Sequence, residues 1–267
     1  MIKSMKDQIA AALPVGVKED LKRILRELHM YKPRPEQLFL EHIIKTSKST
    51  FLIQIGANDG LDFVRSVIRR FWRQRAVSAL LIEPQIFFYR QLLGNYAGVA
   101  GVETLNVAIS DEAKTATLYH VDYENTTVPG WAKGLGSFSR DVLLSHRAYI
   151  ADLEHAIRAV EVQCVSAAEL LAKANGRQLD VLITDTEGHD YVILQQFDFD
   201  RVRPKLVVFE SKHLAPAELA QCEAMLAARG YRVLDLHNDN SIALRADVAD
   251  AALRAVFTNA DAGRSTL

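Results

Sequence analysis

The sequence predicts an α/β fold built on a mostly parallel sheet. From residue 51 onward, short apolar runs rich in β-branched residues alternate with segments of helical pattern. Near-continuous apolar strands of this kind are typical of a parallel sheet that is covered by helices on both faces. Later, the run YRVLDLHNDNSIALRA joins two strand-like halves through an Asn/Asp-rich turn, which predicts a hairpin. The last strand is therefore expected to run antiparallel to the others.

The individual elements follow from these patterns. Strands are predicted at residues 50–56, 76–84, 102–110, 180–188 and 204–211. Helices are predicted near residues 61–74, 85–97, 166–174, 189–196 and 215–229. Right-handed crossovers place these helices over the sheet. Five parallel strands that end in a hairpin resemble the sheet of the class I methyltransferases, a Rossmann-like fold with one extra antiparallel strand.

Residues 1–48 are predicted to form a helical, somewhat basic N-terminal extension to a main domain at 49–267. One helical stripe in the extension spaces its apolar residues at i, i+4, i+7, i+8 and i+11. Its members are Val17, Leu21, Ile24, Leu25 and Leu28. The stripe is expected to pack on the core or on a second subunit; attachment to a membrane surface is the alternative, because basic residues flank it.

The segment from about 111 to 165 interrupts the alternation and is predicted to be an insertion on the acceptor side of the domain. It combines a Gly/Ser-rich run with a predicted helix around 140–157 and a strand-like run, RAVEVQCVS. Tyr123, Trp131 and Phe138 are aromatic residues that would stack on a sugar or cover an apolar product. Alternatively, they form a small core of the insertion.

Composition excludes several classes of protein. A net charge of −1 gives no field that would gather nucleic acid. The two cysteines, Cys164 and Cys222, lack the spacing of a zinc site or a disulfide framework. The start of the chain has no convincing export signal, and no apolar run approaches the roughly 18 residues needed to span a bilayer. A cytoplasmic protein is expected, with association to a membrane through residues 1–48 as the alternative.

The run FLIQIGANDG ends in a turn bounded by Gly56 and Gly60. Asp59 and Asp62 occupy the first turn of the following helix, where they would repel a phosphate group. S-adenosylmethionine carries a sulfonium and an amino group and no phosphate, so it suits this turn. The alternative is that Asp59 only caps the helix. Glu83 ends the second strand, where a carboxylate can accept both hydroxyls of a ribose.

Four motifs occur in order: FLIQIGANDG, LLIEP, LNVAISD and DVLITDTEGHDYVILQQFDF. Together they resemble the FkbM-type S-adenosylmethionine-dependent methyltransferases over roughly residues 50–212. The resemblance implies an O-methyltransferase that acts on sugar hydroxyls of glycans or on natural-product hydroxyls. Two positions depart from many relatives, which have an acidic residue at Gln54 and a lysine at Thr184.

Cofactor contacts are carried over from the resemblance, with Asn106 and Val107 expected inside the third strand. The implied contacts lie on the glycine turn and at the ends of the second, third and fourth strands: Gln54, Gly56, Asn58, Gly60, Glu83, Ala108, Ile109, Ser110 and Asp185.

The candidate catalytic residues Asp185, His189 and Glu210 lie where the fourth and fifth strands end. Adjacent parallel strands lie about 4.8 Å apart, so Asp185 and Glu210 are expected to converge. In one mechanism, His189 or Asp185 takes the proton of the hydroxyl group. In the other, Asp185, Glu187 and Glu210 hold Mg²⁺, provided that the strand stays extended through residue 187. The mechanism without a metal ion is preferred.

The leading hypothesis is a methyltransferase for a sugar hydroxyl of a glycan or saccharide precursor. The second is an enzyme of the same fold that methylates a natural product of polyketide type. The third is a binding module with a vestigial cofactor pocket, against which the intact Gly56, Gly60, Glu83 and Asp185 argue.

Overall fold

The computed structural model describes residues 33–74, 76–111, 114–236 and 239–248. The apolar stripe predicted between Val17 and Leu28 lies outside these ranges. Among the residues described, no helix combines the length and the apolar character that crossing a membrane requires.

Eleven strands lie within the described ranges and form two sheets. The central sheet contains β1 (Ser49–Ile55), β2 (Ala76–Ile82), β3 (Val102–Leu105), β8 (Val181–Thr184), β9 (Leu206–Glu210), β10 (Tyr231–Asp235) and β11 (Asn240–Arg245). The second sheet contains β4 (Ala108–Ile109), β5 (Thr115–Val121), β6 (Gly136–Ser137) and β7 (Ile157–Val165).

The central sheet has the strand order β3-β2-β1-β8-β9-β11-β10. All pairs from β3 to β9 are parallel, whereas β11 is antiparallel to both β9 and β10. The predicted parallel sheet with an antiparallel last strand is therefore confirmed, and the fold is that of the class I methyltransferases.

Helices cover both faces of the central sheet. In chain order they are α1 (Pro35–Thr46), α2 (Phe63–Phe71), α3 (Ile86–Asn95), α4 (Arg140–Leu144), α5 (Leu153–Ala156), α6 (Ala167–Ala172), α7 (Asp190–Gln195), α8 (Phe199–Val202) and α9 (Pro216–Ala227). Helix α1 buries Phe39, Leu40, Ile43 and Ile44 in the same core as residues of β1 and β9. At roughly 1.5–3 kcal/mol for each large side chain, this burial makes α1 part of the domain core.

Two sequence predictions about secondary structure in and next to the insertion are wrong. The third strand was expected over 102–110, but β3 ends at Leu105 and β4 belongs to the other sheet. Asn106 and Val107 therefore lie between two strands. The helix expected over 140–157 is instead α4, a 3₁₀ turn at Ser145–Ala148 and α5, because Asp152 adopts a left-handed conformation with φ of 54°.

The second sheet is built largely from the insertion and stands beside the carboxyl ends of the central strands. Strand β7 is antiparallel to β5 and parallel to β4, which follows directly from β3 along the chain. The short connection through residues 106 and 107 therefore ties the insertion to the central sheet. The strand expected at RAVEVQCVS is confirmed as β7.

Candidate active site

A cavity lies between the carboxyl ends of β1, β2 and β8 and the insertion. The lining consists of Ile55, Gly56, Asn58, Glu83, Pro84, Gln85, Val107, Ala108, Ile109, Leu118, Trp131, Gly134, Leu135, Gly136, Phe138, Asp185, Thr186, Glu187, His189 and Ile193. Among these described residues none is lysine or arginine, whereas three are carboxylates, so the cavity is anionic.

Close packing requires a glycine at both ends of the turn after β1. Gly56 has φ of 82°, and a Cβ there would lie 1.8 Å from the backbone oxygen of Asp185. At Gly60, where φ is 74°, a Cβ would lie 2.5 Å from Cδ1 of Leu92 and 2.7 Å from Cε2 of Tyr96. The lack of a side chain at Gly56 therefore allows the turn after β1 to pack against the end of β8. Gly60 packs against α3 and lies outside the cavity lining.

Glu83 is the carboxylate that joins the glycine turn to β2. Its Oε2 accepts a hydrogen bond from the Asn58 amide at 2.8 Å, and its Oε1 accepts one from the Gln85 amide at 2.8 Å. The residue is only 2% exposed, and this burial raises its pKa to about 7. Each carboxylate oxygen retains a lone pair after these bonds. Glu83 can therefore still accept hydrogen bonds from a ligand in the cavity.

Gln54 lies behind the turn and is not part of the cavity lining. Its Nε2 donates to Oδ2 of Asp62, while its buried Oε1 has no hydrogen-bond partner among the described residues. Asp62 also accepts from the Arg65 amide and so caps α2. Asp59 instead accepts from the Leu61 amide. The helix cap is therefore Asp62 and not Asp59.

The segment after β3 forms one side of the cavity. Val107, Ala108 and Ile109 line it, whereas Ser110 lies outside the lining and donates to Oδ1 of Asp111. The Nδ2 group of Asn106 donates to the backbone oxygens of Glu83 and Pro84 at 2.8 Å and 2.9 Å. This side chain thus binds the segment between β3 and β4 to the end of β2. The predicted single strand is divided at this segment.

The insertion covers the cavity through a 3₁₀ turn at Gly130–Gly134. The backbone oxygen of Gly134 accepts from Nδ2 of Asn58 at 3.3 Å, which joins this turn to the glycine turn of β1. Trp131 is 55% exposed and lines the cavity, as does Phe138. Tyr123 lies outside the lining and stacks on Phe87 and His120. The three predicted aromatic residues therefore divide between the cavity wall and a small aromatic cluster.

The loop after β8 carries two of the three predicted catalytic residues. The expected extended conformation does not persist, because β8 ends at Thr184 and Glu187 is left-handed with φ of 52°. Asp185 is open to water from the cavity, although protein surrounds its other sides. This burial and the neighbouring carboxylates of Glu187 and Asp190 raise its pKa well above the ordinary value.

His189 precedes α7, but its side chain forms no capping hydrogen bond. Its ring meets the edge of Phe138 at a centroid distance of 5.1 Å, and its buried Nε2 has no hydrogen-bond partner among the described residues. Burial lowers the pKa of His189. The imidazole is therefore neutral at physiological pH and can accept a proton.

Glu210, the third predicted catalytic residue, lies behind the cavity wall and is 5% exposed. Ligand atoms of Asp185, Glu187 and Glu210 lie within 4.8 Å of one another, so Asp185 and Glu210 converge as expected. Glu187 joins them from a left-handed position and not from an extended strand. Burial, followed by the charges of Asp185 and Glu187, raises the pKa of Glu210 to about 10. Nε2 of His213 lies 3.1 Å from Oε2 of Glu187 and 3.6 Å from Oε1 of Glu210.

The structure thus brings most of the predicted residues to one cavity and leaves a few around it. Lining residues that were predicted are Gly56, Asn58, Glu83, Ala108, Ile109, Asp185 and His189. Predicted residues outside the lining are Gln54, Gly60, Ser110 and Glu210. Sequence reasoning missed His146, of which one ring nitrogen lies within 4.8 Å of ligand atoms of Glu187 and His213. No motif surrounds His146, so no sequence signal was available for it.

Comparisons with known proteins bear on the chemistry. Residues 54–233 match the family described as the methyltransferase FkbM domain. No protein of curated function gives a significant match. Among solved structures, the methyltransferase FkbM of Methylobacillus flagellatus KT is similar at 11% identity and a TM-score of 0.46, over 74% of this chain and 44% of that chain. The present chain thus spans less than half the length of that protein.

Two further solved structures are similar over more of their own length. A methyltransferase from Geobacter sulfurreducens matches at 12% identity and a TM-score of 0.42, over 91% of this chain and 97% of that chain. A SAM dependent methyltransferase from Aquifex aeolicus matches at 10% identity and a TM-score of 0.37, over 78% and 87%.

Proposed function

Because this chain belongs to the FkbM family of S-adenosylmethionine-dependent methyltransferases, we propose that it methylates a hydroxyl oxygen of a sugar in a glycan or saccharide precursor. The observation that carries the proposal is the anionic cavity, which joins Glu83 to Asp185 and His189 in one space. A phosphate-bearing dinucleotide would be repelled there, whereas a cationic sulfonium nucleoside is attracted.

The residues of the cavity fit such a nucleoside. Glu83 has free lone pairs for two ribose hydroxyls, and Ala108 and Ile109 offer apolar surface to an adenine ring. Gly56 and Asn58 bring backbone close to the same space, and the Asp185 carboxyl group faces it. When bound, S-adenosylmethionine supplies an electrophilic methyl group on a sulfonium. Gln54, Gly60 and Ser110 act in this proposal through the shape of the surrounding turn and strand.

The protein's own task is to orient the hydroxyl group and remove its proton. Neutral His189 is the proposed proton acceptor, since its Nε2 has no other partner among the described residues and its pKa is lowered by burial. Asp185 is the alternative acceptor, because it is open to the cavity and its pKa is raised. Glu210 lies behind the cavity wall, where its raised pKa favours the protonated, neutral form. Proton transfer of this kind requires no Mg²⁺ ion.

The insertion supplies surfaces for the acceptor. Trp131 and Phe138 present aromatic faces that can stack on the C–H groups of a sugar. The exposed fraction of Trp131, 55%, leaves room for a larger glycan to extend into solvent. The apolar side chains Leu118 and Leu135 in the same lining would suit the second acceptor class, a natural-product scaffold.

The experiment that tests the proposal is incubation with S-adenosylmethionine carrying a labelled methyl group and two panels of acceptors. One panel contains saccharides and lipid-linked saccharides, and the other contains polyketide-like hydroxyl compounds. Label in a methyl ether of a saccharide supports the proposal. Label confined to the second panel supports the natural-product function, and tight S-adenosylhomocysteine binding without transfer to either panel supports a binding module.

A further inference from the structure

A group of two histidines and a carboxylate lies beside the cavity and joins three separate parts of the chain. His146 comes from the 3₁₀ turn Ser145–Ala148 of the insertion, Glu187 from the loop after β8, and His213 from the segment after β9. One ligand atom from each side chain lies within 4.8 Å of the other two. The insertion and the sheet edge therefore meet through groups that are all able to bind a metal ion.

Two of the nearby side chains have buried polar atoms that the described residues leave unsatisfied. His146 is 8% exposed, and its Nε2 has no hydrogen-bond partner. Glu210 is 5% exposed, and its Oε2 likewise has none. A buried polar atom without a partner is unfavourable, so such an atom indicates a bound water molecule or ion. His146 belongs to the group itself, and Glu210 lies next to it, with its Oε1 3.6 Å from Nε2 of His213.

The ligand types favour a transition metal over Mg²⁺. Imidazole nitrogen is a ligand for Zn²⁺, Co²⁺, Ni²⁺ and Fe²⁺, whereas Mg²⁺ prefers oxygen ligands alone. We propose that His146, Glu187 and His213 bind one divalent transition-metal ion, with Glu210 as an additional carboxylate ligand. Metal–ligand distances of roughly 2.1 Å require the three side chains to move together by a small amount.

The charges around this metal site are compatible with a cation. The carboxylates of Asp185, Glu187 and Glu210 are mutually close, and no lysine or arginine lines the cavity among its described residues. Lys212 carries a positive charge nearby, and its Nζ forms an ion pair with Oδ1 of Asp239 at 3.1 Å. A bound cation would therefore favour the ionised forms of these carboxyl groups, which their mutual proximity otherwise disfavours.

A metal ion at this site would hold the part of the insertion that contains Trp131 and His146 in place over the cavity. Trp131, which lines the cavity, packs against His146 with a centroid distance of 5.9 Å, and His146 packs against His213 at 5.1 Å. An ion on His146 would hold this aromatic surface against the loop of Glu187. The inference does not depend on the identity of the methyl acceptor.

The test is titration of the full chain, freed of metal, with Co²⁺ alone, because the visible absorption of Co²⁺ reports nitrogen and oxygen ligands directly. Zn²⁺ displacement of Co²⁺ and titration with Mg²⁺ complete the series. The expected result is one Co²⁺ per chain, displaced by Zn²⁺, with an affinity lowered at least ~10-fold in His146→Ala. The matched control is His155→Ala, an exposed histidine of the same insertion, which should leave the affinity unchanged.

Thermal unfolding shows whether each variant is folded, and His146→Gln provides a second substitution of similar size. Co²⁺ binding that is absent, or equal in the wild type and both His146 variants, overturns the metal site. Mg²⁺ binding that is as tight as Co²⁺ binding and independent of His146 also overturns it, in favour of the carboxylates alone. Because these readouts do not measure methyl transfer, their failure is separate from failure of the proposed function.

Discussion

The backbone amide of Asn58 donates a 2.8 Å hydrogen bond to Oε2 of Glu83, so the glycine turn of β1 is fixed to the end of β2. The other carboxylate oxygen accepts from the Gln85 amide. Glu83 therefore shapes the turn and also presents acceptor groups to the cavity. This double role makes it the most informative position for substitution.

Replacement of Glu83 by alanine is expected to weaken S-adenosylhomocysteine binding by roughly 100-fold. The variant loses the ribose acceptor and leaves the Asn58 and Gln85 amides without their partner, at about 1–3 kcal/mol for each group. Isothermal titration calorimetry measures the effect, with the exposed Glu124→Ala as control. An affinity equal to that of the wild type would remove Glu83 from the binding site.

Protonation of Glu83 should make stability depend on pH. Burial raises its pKa from the ordinary 4.5 to about 7, so the folded state holds this proton more tightly than the unfolded chain. The free energy of unfolding therefore falls as pH rises through that interval, by at most ~3 kcal/mol. Glu83→Gln should recover part of this loss at about pH 8 and none at about pH 4.

Urea unfolding of the wild type and Glu83→Gln at both pH values measures that difference. A glutamine accepts hydrogen bonds with one oxygen only, so the recovery should be incomplete. A difference between the two proteins that does not change with pH would show that Glu83 is not the group responsible.

Gly56→Ala should destabilise the protein by more than about 3 kcal/mol. The new Cβ would lie 1.8 Å from the Asp185 backbone oxygen, and φ of 82° is unfavourable for alanine. Gly94→Ala is the matched control, because Gly94 lies inside helix α3 and a Cβ there meets no atom within 4 Å. Thermal unfolding should show a large loss for the first variant and a gain of up to ~1 kcal/mol for the second. Equal effects would contradict the packing argument.

His189→Gln should lower the rate of methyl transfer by about 100- to 10,000-fold while S-adenosylhomocysteine binding stays within a few-fold of the wild type. The reason is that glutamine fills similar space but does not accept a proton. The rate is measured with the labelled cofactor and saturating acceptor, and His155→Gln serves as control. If His189→Gln stays active and Asp185→Asn does not, Asp185 is the proton acceptor instead.

The sequence was sufficient for those parts of the site that depend on strand ends. Glu83 follows an apolar run and precedes a proline, and Asp185 follows another such run, so both were expected where parallel strands end. The parallel pairing of the central strands and the antiparallel β11 followed from the same patterns. These features depend on local periodicity and on the handedness of crossovers.

Other features depend on contacts between distant segments, which local patterns do not encode. Gly56 must be glycine because the Asp185 backbone lies against it. The segment before β4 is bound to the end of β2 by the Asn106 side chain. The left-handed Glu187 turns its side chain away from an extended path toward His213. His146 reaches the same place from the insertion, whose irregular fold gave no periodic signal.

The most direct test of the account is a crystal structure of the full chain with S-adenosylhomocysteine. We expect the ligand in the cavity beneath Trp131, with its ribose hydroxyls on the Glu83 carboxylate and its sulfur toward Asp185 and His189. A ligand bound elsewhere, or a ribose that makes no contact with Glu83, would contradict the central claim.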